Sequence, residues 1–523
     1  MSLDIIIKNG RVIDGSGNPW FRADVGVEGG VISAVGNLKG LAAETAIDAK
    51  GMVVAPGFID IHSHSDVPIL VDRRGLSKVR QGVTTEVVGQ CGSSAAPVNE
   101  KVREYRERYG RSSVPDDFHI TWGTMAEYMD EMDGGASLNI APLVGHGTVR
   151  QDVMEYENRE PTDAELNKMK KLVAEAMADG AWGLSTGLIY PPSVYGKAPE
   201  ITELAKAAAR RGGIYFSHIR GEGETLLDAV KEACEIGLNA GAPVQISHFK
   251  ASGRPSWGKT VQSLAMVEEY RGKGVDVTFD QYPYVASSTG LTALLPHWAH
   301  EGGAEKMLER LRDPETRRRL REESRIVYNW DEVMVTKAKN HPQYNGMNLK
   351  QVSEAVGKDP YDAMFDLLIA ENTQVQSVMF GLNEEDVVRV MRSPYMMVGS
   401  DASAICPEGV WADSRPHPRA YGTFPRVLGK YVREGVLSLQ EAVRKMTGAP
   451  AHRMGFKDRG LLRVGYRADI TVFDPAKVRD EATFTDPQRY ASGIPHVIVN
   501  GVPVVKKDKY TGALPGRALR KPI

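Results

Sequence analysis

The sequence contains few cysteines and no apolar run long enough to cross a membrane. Its 523 residues include only 3 cysteines, Cys91, Cys234 and Cys406, too few for the disulfide framework of a small secreted protein. A membrane helix needs about 20 consecutive, predominantly apolar residues, and no such stretch is found. The first residues, MSLDIIIKNGRVIDG, lack the basic start and apolar centre of a secretory signal. These absences predict a cytoplasmic protein that does not bind membranes.

The sequence also lacks an excess of charge of either sign. Lys and Arg number 65 and Asp and Glu 67, so the formal net charge is −2. Proteins that bind nucleic acid through its phosphates usually carry a basic patch or a strongly positive balance. We therefore expect no nucleic-acid partner. The sequence leaves the oligomeric state open.

Both ends of the chain carry short strand patterns around glycine-containing turns. DIIIKNGRVID, near the start, and HVIVNGVPVV, near the end, each place an Asn-Gly pair between two apolar runs, which is typical of a β-hairpin. Neither end has enough strands to bury a core alone. We therefore predict that residues 1–54 and 455–523 form one small β-sandwich domain, with a larger domain over 55–454 between them.

The middle of the chain alternates apolar runs with helical patterns. The runs are VVAPGFIDI, TTEVVGQC, LNIAPLVG, WGLSTG, GIYFSHI, PVQISHF, DVTFDQY and YMMVGSD. They are continuously apolar, as strands buried on both faces are, and they predict an α/β fold, a parallel (β/α)8 or TIM barrel. The segment 285–345, between strands seven and eight, is predicted to be an insertion. A doubly wound open sheet is the alternative, but no glycine-rich phosphate loop follows the first strand.

Metal-binding residue types follow the ends of several of these strands, at the edge where barrel enzymes carry their catalytic residues. They are His62 and His64 after strand one, Cys91 after strand two, His218 after strand five, His248 after strand six and Asp401 after strand eight. Residues two apart in a strand share a face, so His62 and His64 point the same way. Only 12 histidines and 3 cysteines occur in the chain, and chance would rarely place them so regularly. We therefore predict a metal site at this edge, with Asp401 beside it.

The donor types indicate which metal this is and what it does. A thiolate together with imidazoles selects Zn²⁺ over Mg²⁺ or Ca²⁺. Because the ligands come from distant strands, we expect a catalytic site with a position open for water rather than a zinc finger. Zinc lowers the pKa of a bound water to about 7, which supplies hydroxide at neutral pH. Asp401 is the candidate that accepts the proton of this water and later returns it to a leaving group.

Several motifs resemble those of the amidohydrolase superfamily. The HxH motif, the single histidines after strands five and six, the Asp after strand eight and the C-terminal GLLRVGYRADITVFDP are similar to that superfamily. More narrowly, GQCGSS, GLSTGLIYPP, SHIRGEGE, ISHFKASGRPSWGK and RPHPRAYGTFPRVLGKYVR resemble the N-acyl-D-amino-acid deacylases, or D-aminoacylases. The likeness covers nearly the whole chain. It implies a metal-dependent hydrolase that cuts the linear amide bond of N-acyl-D-amino acids.

The resemblance also implies roles for individual residues. Many superfamily members carry a carboxylated lysine after strand four, but LSTGL contains no lysine. The D-aminoacylase pattern uses a cysteine instead, which implies one tightly bound zinc on Cys91, His218 and His248 and a second, weaker position at His62 and His64. The residues implied to hold the substrate are Lys250, Tyr190, Tyr282, Ser288 and Arg419. Their types agree with the physics, since a free α-carboxylate favours Lys, Arg and hydroxyl donors.

Further candidates and functions stay open at this point. His146, in VGHGT, ends strand three and is a candidate to contact the site, whereas Glu222, in RGEGE, is interpreted as a supporting or structural residue. One alternative function is a cyclic-amide or dipeptide hydrolase with the same metal chemistry. Another, less favoured, is a non-catalytic scaffold, against which the complete set of ligand types argues.

The loop after strand seven bears on the substrate side chain. It reads YPYVASSTGLTALLPHW and contains no lysine or arginine. Its apolar residues are Val285, Leu291, Leu294, Leu295 and Trp298. An acidic side chain would lose hydration in such a pocket without gaining a partner. We therefore expect D-amino acids with neutral side chains, such as D-Leu, to be preferred over D-Glu and D-Asp.

Overall fold

The computed structural model describes residues 3–110, 114–324 and 328–522. The strands in these ranges are β1 (Leu3–Val12), β2 (Phe21–Glu28), β3 (Val31–Gly36), β4 (Ala43–Asp48), β5 (Val53–Pro56), β6 (Phe58–Asp60), β7 (Val83–Val88), β8 (Asn139–Pro142), β9 (Val144–Gly145), β10 (Gly183–Gly187), β11 (Ile214–His218), β12 (Val244–Ile246), β13 (Val277–Gln281), β14 (Ser287–Gly290), β15 (Val333–Lys337), β16 (Gln376–Met379), β17 (Met396–Val398), β18 (Ile470–Phe473), β19 (His496–Val499), β20 (Val502–Lys506) and β21 (Lys509–Tyr510).

The α-helices in the same ranges are α1 (Pro68–Val71), α2 (Leu76–Val79), α3 (Glu100–Tyr109), α4 (Met125–Asp133), α5 (His146–Met154), α6 (Asp163–Asp179), α7 (Ala198–Ala209), α8 (Leu226–Ala240), α9 (Thr260–Gly272), α10 (Gly303–Arg312), α11 (Pro314–Glu322), α12 (Leu349–Val356), α13 (Pro360–Ala370), α14 (Glu384–Arg392), α15 (Arg419–Arg426), α16 (Leu439–Met446) and α17 (Gly448–Met454). Among the helices described, none combines the length and the apolar composition that a membrane crossing requires.

Parallel strands in the described part of the chain form the barrel. β6 pairs with β7 and β7 with β8, while β9 to β13 pair in order and β13 pairs with β17. Only Leu143 separates β8 from β9, so these two segments act as one strand of the ring. On the other side, the backbone N–H of Asp401 donates to the carbonyl of His62 at 2.8 Å and links β17 to β6. The predicted α/β barrel is confirmed.

The helices between the strands follow from capping residues and periodic apolar positions. In α6, the side chain of Thr162 accepts a hydrogen bond from the backbone of Glu165, which in turn accepts from the backbone of Thr162. Gly180, with a φ of +114°, ends the helix in the left-handed conformation that glycine adopts readily. Met169 and Val173, four residues apart, are buried on one face. This helix is one of the helical patterns expected between the strands.

Both ends of the chain contribute to one β-domain, as predicted. In the part of the chain that the structure describes, β1–β5 and β18–β21 belong to a single nine-stranded sheet. β1 pairs with β2, β4 and β5, so the sheet branches at this strand. Its buried core has members from both ends, including Ile7, Val25, Ile470 and Ile498. The first apolar run of the sequence analysis is divided, because β5 belongs to this sheet and β6 to the barrel.

The last described residues leave the β-domain and run along the barrel. Gly516 and Ala518 form bridges with Ala136 and Ile140. The backbone N–H of Lys521 donates to the carbonyl of Gly180 at 2.8 Å. Residues 516–522 therefore lie with the barrel, which differs from the expected assignment of 455–523 to the β-domain. Backbone pairing of this kind leaves little pattern in the side chains of such a short tail.

The insertion between β13 and β17 is larger than expected. β14, β15 and β16 form an antiparallel sheet accompanied by α10–α13. Its separate core includes Leu291, Leu311, Val335 and Phe365. These elements run from residue 287 to residue 379, beyond the predicted segment 285–345, of which residues 325–327 lie outside the described ranges. The insertion covers the C-terminal edge of the barrel, because residues of β14 and β15 line the same cavity as the strand-end histidines.

Candidate metal centre and active site

The structure places the candidate ligands together at the C-terminal edge of the barrel. Among the described residues, one donor atom from each of His62, His64, Cys91 and Asp401 lies within 4.8 Å of the others. The same holds for a second group, Cys91, His218 and His248. Sγ of Cys91 lies 3.4 Å from Nε2 of His62 and 3.4 Å from Nε2 of His248. The thiol therefore stands between two positions that can each hold a metal ion.

Several of these residues adopt a backbone conformation that residues other than glycine rarely adopt. φ is +52° at Cys91, +37° at His248 and +51° at Asp401, all in the left-handed region. Such a residue costs of order 1–3 kcal/mol and persists only where the surrounding structure holds it. Each one lies two or three residues beyond its strand, where the chain turns over the end of the barrel. Strain of this kind, which is common at functional sites, is thus present at three of the candidate ligands.

Asp280, at the end of β13, joins two of the ligand-bearing strands and was missed in the sequence analysis. Its Oδ1 lies 2.9 Å from Nδ1 of His62 and accepts a hydrogen bond from the backbone N–H of His248 at 2.8 Å. Its Oδ2 accepts from the side chain of Gln245 at 2.9 Å. A carboxylate on the far ring nitrogen fixes the orientation of a metal-binding imidazole. The available signal was an acid near the end of the predicted strand DVTFDQY.

Asp401 faces both the histidines of the first strand and a cation. Its Oδ1 lies 2.9 Å from Nε2 of His64 and 3.4 Å from Nε2 of His62. Its Oδ2 lies 2.8 Å from Nη1 of Arg419, the first residue of α15. Both Asp401 and Arg419 are less than one-tenth exposed. The candidate proton carrier and the candidate carboxylate-binding arginine are therefore direct neighbours.

Glu222 and Lys250 support the second donor group. Oε1 of Glu222 lies 2.9 Å from Nδ1 of His248 and accepts from Nζ of Lys250 at 2.5 Å. Lys250 also donates to the carbonyl of His248 at 2.9 Å. Burial opposes ionisation of Glu222, but Lys250, His218 and His248 outweigh it and hold the pKa of this carboxyl well below its usual value. Glu222 thus has the supporting position expected of it.

The charges around the site favour the anionic forms of Cys91 and Asp401. Burial alone would raise the pKa of the Cys91 thiol, but protonated His62 and His248 lower it well below the usual 9.0. Burial likewise opposes ionisation of Asp401, and Arg419 and His248 hold the pKa of its carboxyl well below 3.8. A bound metal cation acts in the same direction. Cys91 must be a thiolate to bind a metal ion, and Asp401 must be an ionised carboxylate to accept a proton.

The candidate substrate-binding residues line a cavity of about 940 Å³ beside the donor atoms. They are Lys250, Tyr190, Tyr282, Ser288 and Arg419. The hydroxyl of Tyr282 is buried and has no hydrogen-bond partner among the described residues. The guanidinium carbon of Arg419 lies 4.6 Å from the centre of the Tyr282 ring. A buried hydroxyl without a partner is costly, and an anionic oxygen in this cavity would satisfy it.

The cavity wall expected to be apolar also carries a cation. The loop residues that line it are Leu294, Leu295 and Trp298, whereas Val285 and Leu291 lie elsewhere. Lys337, from β15, also lines the cavity, and its Nζ donates to the carbonyl of Val410 at 2.9 Å. Burial lowers the pKa of Lys337 to about 8. Because the insertion folds back over the barrel, a residue far from this loop in sequence reaches the same wall.

His146 belongs to neither of the two donor groups found among the described residues. Its Nδ1 lies 2.6 Å from Oγ of Ser193, and its Nε2 lies 2.9 Å from Oε1 of Glu200. Glu200 in turn accepts from Nη1 of Arg150. All four residues are buried. His146 therefore joins the loop after β10 to α7 and is not a candidate ligand.

Comparison with known proteins agrees with this fold. Residues 45–505 match the amidohydrolase family. The chain is 39% identical over 525 residues to a D-aminoacylase from Alcaligenes xylosoxydans xylosoxydans, a match that covers 99% of this chain and 98% of that protein. It is 37% identical over 523 residues to an N-acyl-D-glutamate deacylase from the same organism, with 99% and 97% covered.

A solved structure is similar over the full length. It is the crystal structure of an N-acyl-D-glutamate deacylase from Bordetella bronchiseptica, complexed with zinc and a phosphonate inhibitor that mimics the tetrahedral intermediate of the reaction. The two folds agree with a TM-score of 0.85 at 35% identity, over 99% of this chain and 100% of that one. The chain belongs to the amidohydrolase family and, within it, to the D-aminoacylase family of N-acyl-D-amino-acid deacylases.

Proposed function

We propose that this chain hydrolyses the amide bond of N-acyl-D-amino acids and releases a carboxylate and a free D-amino acid. The observation that carries the proposal is one thiol, Cys91, shared by two donor groups, with the carboxylate of Asp401 beside it. The adjoining cavity offers Lys250 and Arg419 to an anionic substrate. The relatives named D-aminoacylase and N-acyl-D-glutamate deacylase support the same reaction class.

Zinc fits the donor atoms. In a tetrahedral site with Zn–S of about 2.3 Å and Zn–N of about 2.0 Å, sulfur and nitrogen lie about 3.5 Å apart. Sγ of Cys91 and Nε2 of His248 lie 3.4 Å apart, and Nδ1 of His218 lies 2.9 Å from Nε2 of His248. We propose that these three residues hold one tightly bound Zn²⁺ and that His62 and His64 hold a second, weaker one. When bound, zinc polarises a carbonyl and lowers the pKa of water.

The residues of the chain itself bind the substrate and move the proton. Lys250, Arg419 and the unpartnered hydroxyl of Tyr282 donate to the α-carboxylate. Asp401 accepts a proton from the attacking water and returns it to the nitrogen that leaves. The side chains of Ser288 and Tyr190 complete the wall around the substrate. Lys250 also supports His248, so this lysine contributes to both the substrate site and the metal site.

Hydrolysis of N-acetyl-D-leucine tests the reaction. We expect the zinc-loaded protein to release acetate and free leucine in equal amounts. A cyclic amide such as a hydantoin is the matched comparison, because it tests the alternative reaction on the same metal site. Turnover of the cyclic amide without any release from N-acetyl-D-leucine would overturn the proposal.

We further propose that neutral side chains are preferred over acidic ones. The support is the wall formed by Leu294, Leu295 and Trp298, and the engagement of Lys337 with the carbonyl of Val410. The relatives do not decide this point, because the D-aminoacylase and the N-acyl-D-glutamate deacylase are 39% and 37% identical to this chain. We also propose a cytoplasmic location, since all three cysteines are free and a reducing compartment keeps them so.

The preference is measured as kcat/KM for N-acetyl-D-leucine against N-acetyl-D-glutamate. We expect the leucine derivative to be favoured by about 10-fold or more, since burying a leucine side chain is worth about 1.5–3 kcal/mol. The matched variants are Lys337→Met and Lys339→Met, because Lys339 is exposed and pairs with Asp116. A preference for glutamate that disappears in Lys337→Met would contradict the expectation. Such a preference would also fall above pH 8, as the Lys337 ammonium, with its pKa of about 8, loses its proton.

A further inference from the structure

A second cavity, of about 430 Å³, adjoins the first one. The residues that line both include Cys91, Ser93, Ile189, Tyr190, Thr289 and Leu295. It lies between the loop after β10 and the insertion, and its volume is within the range of about 300–1,000 Å³ of small-molecule sites. Cys91 lines this cavity, but His218 and His248, the other members of its donor group, do not. The proton carrier Asp401 does not line it either. The roles proposed above for the substrate-binding residues and for Asp401 do not use the second cavity.

The second cavity adjoins the metal position but not the residues assigned to the amino-acid half of the substrate. The residues assigned to the α-carboxylate, Lys250, Tyr282 and Arg419, line the first cavity and not the second. Cys91, at the metal position, lines both. A linear amide is planar and trans, so its acyl chain and its Cα extend in opposite directions from the scissile bond. With the carboxylate held in the first cavity, the acyl chain points toward the second.

The lining of the second cavity suits an apolar group that contains a ring. Tyr105, Tyr109 and Tyr156 line it, and the ring of Tyr105 lies 5.0 Å from each of the other two. Met307 and Ile189 add aliphatic surface. Aromatic rings pack favourably when their centres lie about 4.5–7 Å apart, so these tyrosines can pack against a ring of the ligand.

A charged residue, Arg106, also lines the second cavity, but its donors are engaged. Its Nη1 donates to the carbonyl of Ser94 at 3.0 Å, and its Nη2 donates to Oγ1 of Thr148 at 3.1 Å. The guanidinium is thus bonded to the protein itself. The rest of the wall combines the tyrosine rings and aliphatic groups with uncharged polar side chains such as Gln151 and Gln374.

We propose that the second cavity binds the acyl group of the substrate and that the enzyme acts best on bulky apolar acyl groups, above all those with an aromatic ring. This inference rests on the proposed deacylase function. Tyr190 and Thr289 stand at the junction, because both line the two cavities and their hydroxyls lie 2.8 Å apart in a hydrogen bond. The acyl chain passes this pair on its way from the metal position to the tyrosines.

The test compares N-acetyl-, N-phenylacetyl- and N-succinyl-D-leucine on the zinc-loaded protein. Thr292 and Gln374 line only the second cavity, so Thr292→Trp and Gln374→Trp each fill it without touching the first. Lys350→Trp, on an exposed position of α12, is the matched control. We expect kcat/KM of the wild type to be at least about 10-fold higher for phenylacetyl than for acetyl, as burial of a ring predicts. Each filling variant should lose at least about 10-fold on phenylacetyl while acetyl hydrolysis stays close to that of the control.

Three results would overturn the inference. One is hydrolysis of the acetyl substrate without hydrolysis of the phenylacetyl substrate, which leaves the deacylase function standing and removes the acyl site. Another is an equal loss on both substrates in both filling variants, or no loss in either. The third is a preference for succinyl, which would assign the cavity to an acidic acyl group through Arg106. Failure to hydrolyse all three substrates would overturn the proposed function, and this inference with it.

Discussion

Asp401→Asn is expected to reduce kcat by about 10² to 10⁴-fold, the usual contribution of a general acid-base group. The amide can neither take the proton of the attacking water nor return it to the leaving nitrogen. Asparagine keeps the size of the side chain and tolerates the φ of +51° at this position better than most residues. The backbone hydrogen bond from residue 401 to the carbonyl of His62 also stays. The loss is therefore expected without unfolding.

Two measurements on this variant, its zinc content and its unfolding temperature, separate a loss of chemistry from a loss of structure. Zinc content at the tight position and the unfolding temperature should match the wild type, because Asp401 is not in the donor group of Cys91, His218 and His248. Asp413→Asn, at an exposed position in the loop after β17, is the control and should retain full activity. Near-normal turnover in Asp401→Asn would remove this carboxylate from the mechanism.

Cys91→Ala is expected to lose most of the bound zinc and with it the activity. The thiol is the only residue common to the two donor groups found in the described ranges, so its removal weakens both positions. The loss in affinity should exceed the about 10- to 100-fold that removal of an outer partner costs. Because a thiolate ligand must lose its proton, the wild type should also release metal as the pH falls. Metal analysis of the purified proteins and titration of zinc into stripped samples measure both effects.

The other two cysteines supply the controls. Cys234 is buried in α8 and Cys406 in the loop after β17, and burial raises the pKa of each thiol to about 12. Neither belongs to a donor group among the described residues. Cys234→Ala and Cys406→Ala should therefore keep their zinc. Full retention of zinc in Cys91→Ala would show that the thiol is not a ligand.

The barrel and the edge that carries the site follow from simple regularities of the sequence. Parallel strands buried on both faces read as continuous apolar runs, and the carboxyl ends of such strands meet at one edge. Residues that follow these runs, such as His62 and His248, are for this reason brought close together. The shared face of His62 and His64 follows from the alternation of side chains, and both imidazoles lie beside Asp401. Patterns of this kind can be predicted from the sequence because they depend only on residues that are neighbours along the chain.

The parts that the sequence did not predict depend on contacts between distant segments. In the sequence, Asp280 is only a polar residue within a strand, and its contact with His62 is seen only in the folded protein. In the sequence, Lys337 is only the end of a strand in the insertion. It reaches the first cavity because the insertion folds over the barrel. The second cavity is lined by residues from Cys91 to Gln376, which share no pattern along the chain. Such features follow from tertiary packing, to which periodicity and strand-end rules do not extend.

The measurement that tests the central claim most directly compares N-acetyl-D-leucine with N-acetyl-L-leucine on zinc-loaded and chelator-treated samples of one preparation. We expect hydrolysis of the D-enantiomer with kcat/KM higher by at least about 100-fold, since a substrate whose polar groups miss their partners is rejected strongly. This activity should disappear with the zinc and return when zinc is added. Equal rates on the two enantiomers, or full activity in a sample shown to contain no metal, would contradict this expectation.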